Sequence, residues 1–253
     1  MTIKLEFPDD VRPDFQGFSP LALEFLDNLK KNNERSWFKT KKTLYDLDVK
    51  FPMECLLAEF NTERRPVGFP VRGDPTKGIF RIYRDVRFSK NKAPYKTHVG
   101  AVMTRSGGKD DPGLIYVHIE PGQSFLSAGF YSPDRNFLTA LRLRIAKEPN
   151  TFIDMLRPFS KPRGKYFVRN RGALKTMPRG FQDYTDSPVA EYLKSKHFLV
   201  GCKITDKQAQ NPSLIKIISE FGYACSEMLA FGWDVYETAY DDDPRKHMRL
   251  KSD

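Results

Sequence analysis

The sequence has little that would mark a familiar chemistry. Cysteine occurs three times in 253 residues and tryptophan twice. Cys55, Cys202 and Cys225 stand far apart, with no CxxC pair and no histidine at ligand spacing beside them. That argues against a structural zinc site and predicts free, buried thiols in a reducing compartment. No run of 18 apolar residues occurs, so no transmembrane helix is expected. The opening MTIKLEFPDDVRPDF lacks the charged-then-apolar pattern of a secretory leader. The expected location is intracellular, cytoplasmic or nuclear, and not secreted. No GxxxxGK followed by Ser or Thr is present, no GxGxxG follows a strand, and HExxH and GxSxG are missing. P-loop, dinucleotide-binding, zincin and α/β-hydrolase readings therefore have no support. Carboxylates are scarce around the most basic stretch, where only Asp85 and Glu120 are near. Two-metal phosphoryl chemistry is disfavoured on that ground, and neither a metal nor a cofactor is expected.

What is present is a large apolar payload and an excess of positive charge. Hydrophobic residues make up 40%, with 20 Phe and 11 Tyr, which is enough to bury a core. Forty-two Lys and Arg against 32 Asp and Glu give a formal net charge of +10. Such a balance favours anionic partners: nucleic acid, phosphorylated small molecules or an acidic protein.

The pattern along the chain predicts an α+β fold, a mainly antiparallel sheet flanked by an N-terminal helical hairpin and C-terminal helices. Residues 1–17 read as an N-terminal arm, 18–232 as one domain and 233–253 as a charged tail. Ser19-Pro20 is a cap followed by proline at the first helical position, and Leu21, Ala22, Phe25, Leu26 and Leu29 continue at helical spacing. Trp37 to Phe51 gives a second helical face, which Pro52 should kink, with a further helical piece to about Phe60. GIFRIYRD, HVGAVMTR, LIYVHIE and SFLSAGFY read as strands, the last two joined by a Pro121-Gly122 turn. Ser132-Pro133 repeats the cap-plus-proline pattern before a helix to about Lys147. A short helix near 188–195, a strand near 197–204 and a long helix opened by Asn211-Pro212 complete the order.

The stretch FRIYRDVRFSKNKAPYKTH, residues 80–98, concentrates the chemistry. Phe80, Ile82, Arg84, Val86 and Phe88 share one parity, so an extended strand would aim all five at one face. An arginine in an apolar row is expensive unless it is paired. Arg84 is therefore expected either inward against a carboxylate or re-aimed by a bulge at Asp85. Arg81, Arg84, Arg87, Lys92 and Lys96, with Tyr95, form the candidate ligand-binding set, because guanidinium forks and lysines suit phosphate or carboxylate groups. Tyr116, His118 and Glu120 share a strand face, and His98 starts the strand before. Asp85, Tyr95 and His118 are the candidate proton carriers.

These residues resemble a known family. Arg81-x-x-Arg84-Asp85-x-Arg87-Phe88-Ser89-Lys90-Asn91-Lys92-x-Pro94-Tyr95-Lys96 is similar to the motif of domain of unknown function 2461 (DUF2461), conserved hypothetical proteins of bacteria and fungi. Phe25-Leu26 through Asn33, Arg35 and Trp37-Phe38 resembles its N-terminal helices. His118-Ile119-Glu120-Pro121-Gly122 and Gly129-Phe130-Tyr131-Ser132-Pro133 resemble its central hairpin, and Pro178-Arg179-Gly180-Phe181 with Tyr192-Leu193-Lys194 its C-terminal part. The resemblance covers roughly residues 18–230 and implies no assigned activity and no catalytic residues.

A second basic region lies between Met155 and Gln182, where no acid occurs. Arg157, Lys161, Arg163, Lys165, Arg169, Arg171, Lys175 and Arg179 are interleaved there with Phe159, Tyr166, Phe167 and Phe181. Such a mixture suits a track for a nucleic-acid backbone with stacked bases, or else a solvated surface loop whose aromatics pack back onto the core or an ordinary edge strand. Three functional classes remain. The first is a phosphate- or anion-binding module for nucleic acid or a nucleotide. The others are a metal-independent enzyme acting on an anionic substrate, and a scaffold that docks an acidic protein.

Overall fold

The computed structural model describes residues 12–61, 69–169 and 172–240. Its architecture is α+β, built on a six-stranded antiparallel sheet in the order β1-β2-β3-β4-β6-β5. The strands are Arg72–Gly73 (β1), Val99–Thr104 (β2), Leu114–Ile119 (β3), Phe125–Phe130 (β4), Tyr166–Val168 (β5) and Phe198–Lys203 (β6). The chain divides into two compact units, one of residues 1–127 and 202–223 and the other of residues 128–201 and 224–253.

In the first unit, Ser19 caps α1 (Pro20–Lys31) as its sequence predicts, its hydroxyl accepting from the Ala22 N–H. Ala22, Leu23, Phe25, Leu26 and Leu29 form the buried face. Two short helices follow, α2 (Arg35–Thr40) and α3 (Lys42–Leu44), and then Tyr45–Lys50 widens into a π-helix before α4 (Phe51–Glu59). The wide turn answers Pro52. A proline N–H is missing and its ring would clash one turn back, so the chain takes an i→i+5 bond, Phe51 N–H to Asp46, and continues. Met53, Leu56 and Leu57 of α4 are buried, as are Ile115, Val117 and Ile119 on one face of β3. The antiparallel β2–β3 register sets Gly100 opposite His118 and Val99 opposite Ile119. The turn between β3 and β4 is closed by Gln123 N–H to Glu120 O at 2.9 Å, with Gly122 at φ +70° as a type II turn requires.

Part of the expected arm is packed into this unit. Within the expected arm, Phe15 is only 2% exposed and its N–H donates to Glu59 at 2.7 Å. Residues 1–11 of that arm lie outside the described residues.

In the second unit, α5 (Arg135–Lys147) and α6 (Pro149–Met155) precede β5, and α7 (Ala190–Leu193) precedes β6. Phe137, Leu141 and Ile145 line the buried face of α5. Its cap is Asp134, which accepts from the Asn136 and Phe137 N–H groups, and not the expected Ser132, which sits at φ +50°. β5 is an edge strand, one of the two roles that basic residues alternating with aromatics allow. The long helix α9 (Leu214–Ala239) follows the short α8 (Asp206–Ala209) and has residues in both units. It also overturns the start of the expected tail: residues 233–239 are helical, and Trp233 and Val235 are buried. Residues 241–253 lie outside the described residues.

Candidate functional site

The arginine-rich stretch is a loop held by two isolated bridges, not the expected strand. Ile79 bridges Ala101 and Tyr83 bridges Tyr95. Between them the chain makes Arg84 N–H to Pro94 O and Lys96 N–H to Ile82 O, both at 2.8 Å. The shared parity breaks down at its far end, where Phe88 is 96% exposed. Arg84 is half-buried and, among the described residues, has no carboxylate against it. Its guanidinium donates to the Ala93 carbonyl at 3.0 Å and to the Ser89 hydroxyl at 3.4 Å. In place of the inward ion pair, one of the two placements expected for it, Arg84 makes a fork that ties one limb of the loop to the other. Lys92 does the same, donating to the Val86 carbonyl at 3.0 Å.

The loop is also anchored from the helical side. The Asn33 side chain accepts from the Tyr95 N–H at 2.9 Å and donates to the Tyr95 carbonyl at 3.1 Å, replacing two ladder bonds. Phe38 stacks on the Tyr95 ring at 4.2 Å, and Tyr95 is 4% exposed. Burial, and then the neighbouring Tyr83, raises the Tyr95 hydroxyl above its ordinary pKa. Asp85 is claimed by Arg87, which approaches both carboxylate oxygens at 3.0 and 2.7 Å. Those bonds hold the Asp85 carboxyl below its usual range, which makes it a poor proton carrier.

Beside the loop lies a cleft of about 480 Å³ whose wall includes Lys50, Arg81, Lys96 and Lys109 and, among the described residues, no acid. Phe80 forms part of the wall and is flanked by the Lys96 and Lys109 ammonium groups, 5.3 and 5.5 Å from its ring centre. Lys96 donates to the Arg81 carbonyl at 2.8 Å. Burial lowers the Lys96 pKa, and the Arg81 and Lys109 charges lower it further. Lys50 is shared with Glu54 at 3.0 Å.

Behind Phe80 stands a polar cluster. The Phe80 ring meets Tyr116 edge-on at 5.9 Å, and the Tyr116 hydroxyl lies 2.9 Å from His118 Nδ1. His118 Nε2 lies 3.1 Å from Glu120, whose other oxygen accepts from the Thr97 hydroxyl at 3.1 Å. His98 packs against His118 with ring centres 4.1 Å apart, and Phe125 stacks on the other side at 4.5 Å. Burial, then the His118 ring, pulls the His98 pKa down to about 4. Gly100 makes room for this arrangement, since a Cβ there would lie 2.4 Å from the Tyr116 hydroxyl.

A family model described as "Conserved hypothetical protein (DUF2461)" matches residues 21–231. The chain belongs to the DUF2461 family. Searches of curated proteins and of solved structures found no match.

In this DUF2461 protein the sequence-derived ligand set splits in two. Arg81 and Lys96 line the cleft, whereas Arg84, Arg87 and Lys92 are spent on the loop itself and Tyr95 is packed beneath it. Asp85, Tyr95 and His118 each have separate partners, and none of them lines the cleft. Reading the sequence missed Lys50, Thr76 and Lys109 as wall residues. Lys109 follows Ser106-Gly107-Gly108, a plain loop pattern, and only the fold brings it to Phe80. In the second basic region Phe159 and Phe181 are 3% and 4% exposed, so these two rings serve the core and offer no face to a base. Arg157 pairs with Asp154 at 2.8 Å, and the Lys165 ammonium lies 5.3 Å from the Tyr166 ring centre. Residues 170–171 of that region lie outside the described residues.

Proposed function

We propose that this DUF2461 protein binds a small phosphorylated molecule, of about nucleotide size, in the basic cleft beside the arginine-rich loop. The observation that carries the reading is a wall whose described residues include four cations and no acid, in which burial and its cationic neighbours disfavour the charge on Lys96. A phosphate lodged there would relieve that repulsion, and the loop's own hydrogen bonds hold the Arg81 backbone and the Lys96 ammonium in place before the ligand arrives. The volume falls in the range of small-molecule sites, about 300–1,000 Å³. Phe80 supplies a ring against which a flat group can pack. A nucleic-acid partner would need exposed aromatics along an extended cationic track, and in the second basic region two of the four rings are buried. The reading carries with it an intracellular location, which the burial of all three cysteines supports.

The test is a titration of tag-free protein with pyrophosphate, ATP and labelled single-stranded and duplex oligonucleotides at about 50 and 200 mM salt. Saturable one-to-one binding of pyrophosphate and ATP, tighter than that of any oligonucleotide, is the expected result. Oligonucleotide binding with no pyrophosphate or ATP site would overturn it.

A further inference from the structure

His98, His118 and Glu120 come together although the sequence sets the two histidines 20 positions apart. The β2–β3 register does this. With Gly100 opposite His118 and Val99 opposite Ile119, the next step sets His98 across from Glu120 and diagonal to His118. One ligand atom from each of the three residues lies within 4.8 Å of the others. Among the described residues this is the one group of three or more histidine, cysteine or carboxylate donors so placed.

We propose that these three residues form a mononuclear divalent metal site, with zinc the best match. Two imidazoles and one carboxylate make up a three-ligand zinc set that leaves the fourth position to water. Tetrahedral ligands at about 2.0–2.1 Å from the ion sit roughly 3.3 Å from one another. His118 Nε2 and Glu120 are already 3.1 Å apart. His98, half-buried just before β2, has only to swing toward them. A metal ion would take the place of the proton now shared between His118 and Glu120.

The surroundings fit that exchange. The Thr97 hydroxyl holds one Glu120 oxygen and leaves the other toward the histidine. The Tyr116 hydroxyl meets the second nitrogen of His118, the position where a metal-bound histidine donates its remaining N–H. Phe125 stacks on the His118 ring and fixes its plane. A hydroxyl can accept as readily as it donates, so Tyr116 serves the metal-bound tautomer without moving. This inference goes beyond the anion reading and does not depend on it, because none of the three ligands lines the cleft.

The test uses tag-free protein stripped with a chelator and titrated with ZnCl2 by calorimetry, and with CoCl2 by visible absorption. One metal per chain is expected, with a low-coordinate cobalt spectrum. His98→Ala should abolish it and Glu120→Gln should weaken it strongly. Tyr116→Phe should weaken zinc binding by roughly 10–100-fold. His197→Ala, far from the cluster in sequence and packed on Tyr131, should leave it unchanged. Circular dichroism checks each variant's fold, and the half-exposed His98 carries the test if His118 variants do not fold. Absence of saturable binding, or a His98→Ala protein that binds zinc as the wild type does, would overturn the site.

Discussion

Between residues 81 and 96, Arg81, Arg84, Arg87, Lys90, Lys92 and Lys96 share the chain with a single acid, Asp85; between 157 and 179, eight cations share it with none. In the first stretch Arg84, Arg87 and Lys92 bond to carbonyls, a hydroxyl and Asp85, and this order presents Arg81 and Lys96 to a cleft. In the second, two of the aromatics turn inward, Arg157 pairs with Asp154, and β5 closes the edge of the sheet. Positive charge alone did not distinguish them. What separates them is whether neighbouring groups fix some cations so that others converge.

The largest expected effect breaks the comparison at the cleft. Arg81→Ala combined with Lys109→Ala should weaken pyrophosphate binding by about 100-fold, the loss of two charge-assisted contacts at roughly 1.5 kcal/mol each. The matched pair Arg163→Ala and Lys175→Ala should change it less than about twofold, both read by calorimetry. Equal losses in the two double variants would erase the distinction.

Next in size is Arg84→Leu. It leaves the Ala93 carbonyl without its donor and should lower stability by about 1–2 kcal/mol in urea unfolding. That is less than the 3–5 kcal/mol that breaking a buried ion pair costs, which is the expectation the sequence raised. A loss in the larger range would mean that a carboxylate depends on Arg84.

How far the sequence carried the account depends on how local the physics is. Ser19-Pro20, the Pro121-Gly122 turn and the short runs that form β2, β3 and β4 act within a few residues, and the structure has those elements. The alternation from Phe80 to Phe88 misled, because a row of apolar side chains at strand parity says nothing about whether a partner strand continues alongside. Among the described residues the arginine that does go inside is Arg142, 8% exposed on α5 and donating to the Ser195 carbonyl at 3.0 Å. It adjoins the Phe137–Leu141–Ile145 stripe and reads as an ordinary boundary residue. In the site, His118 and Glu120 were legible as one strand face, whereas their meeting with His98 follows from register, which no local pattern encodes.

A smaller effect sharpens the second unit. His197 accepts the Ser132 N–H through Nδ1 at 2.8 Å and stacks on Tyr131, so the fold needs its neutral ring. Burial, and then Lys196, lowers its pKa. The unfolded chain therefore binds more protons than the folded one just below the ordinary histidine value of about 6.5. Stability should fall as pH drops through that value toward the folded pKa, and His197→Gln should flatten this slope in urea midpoints. A slope unchanged by the substitution would contradict it.

The smallest effect is expected for Arg87→Ala. Its fork is closed on Asp85 at the surface, so neither the melting temperature nor pyrophosphate binding should move. A clear loss of binding would return Arg87 to the site.

The most direct measurement is amine labelling of the intact protein, with and without saturating pyrophosphate, read lysine by lysine by peptide mass spectrometry. The account predicts that pyrophosphate slows labelling of Lys96 and Lys109 and leaves Lys161 and Lys175 unaffected. Labelling of Lys96 and Lys109 at the same rate in both samples would contradict the claim that the basic cleft holds the anion.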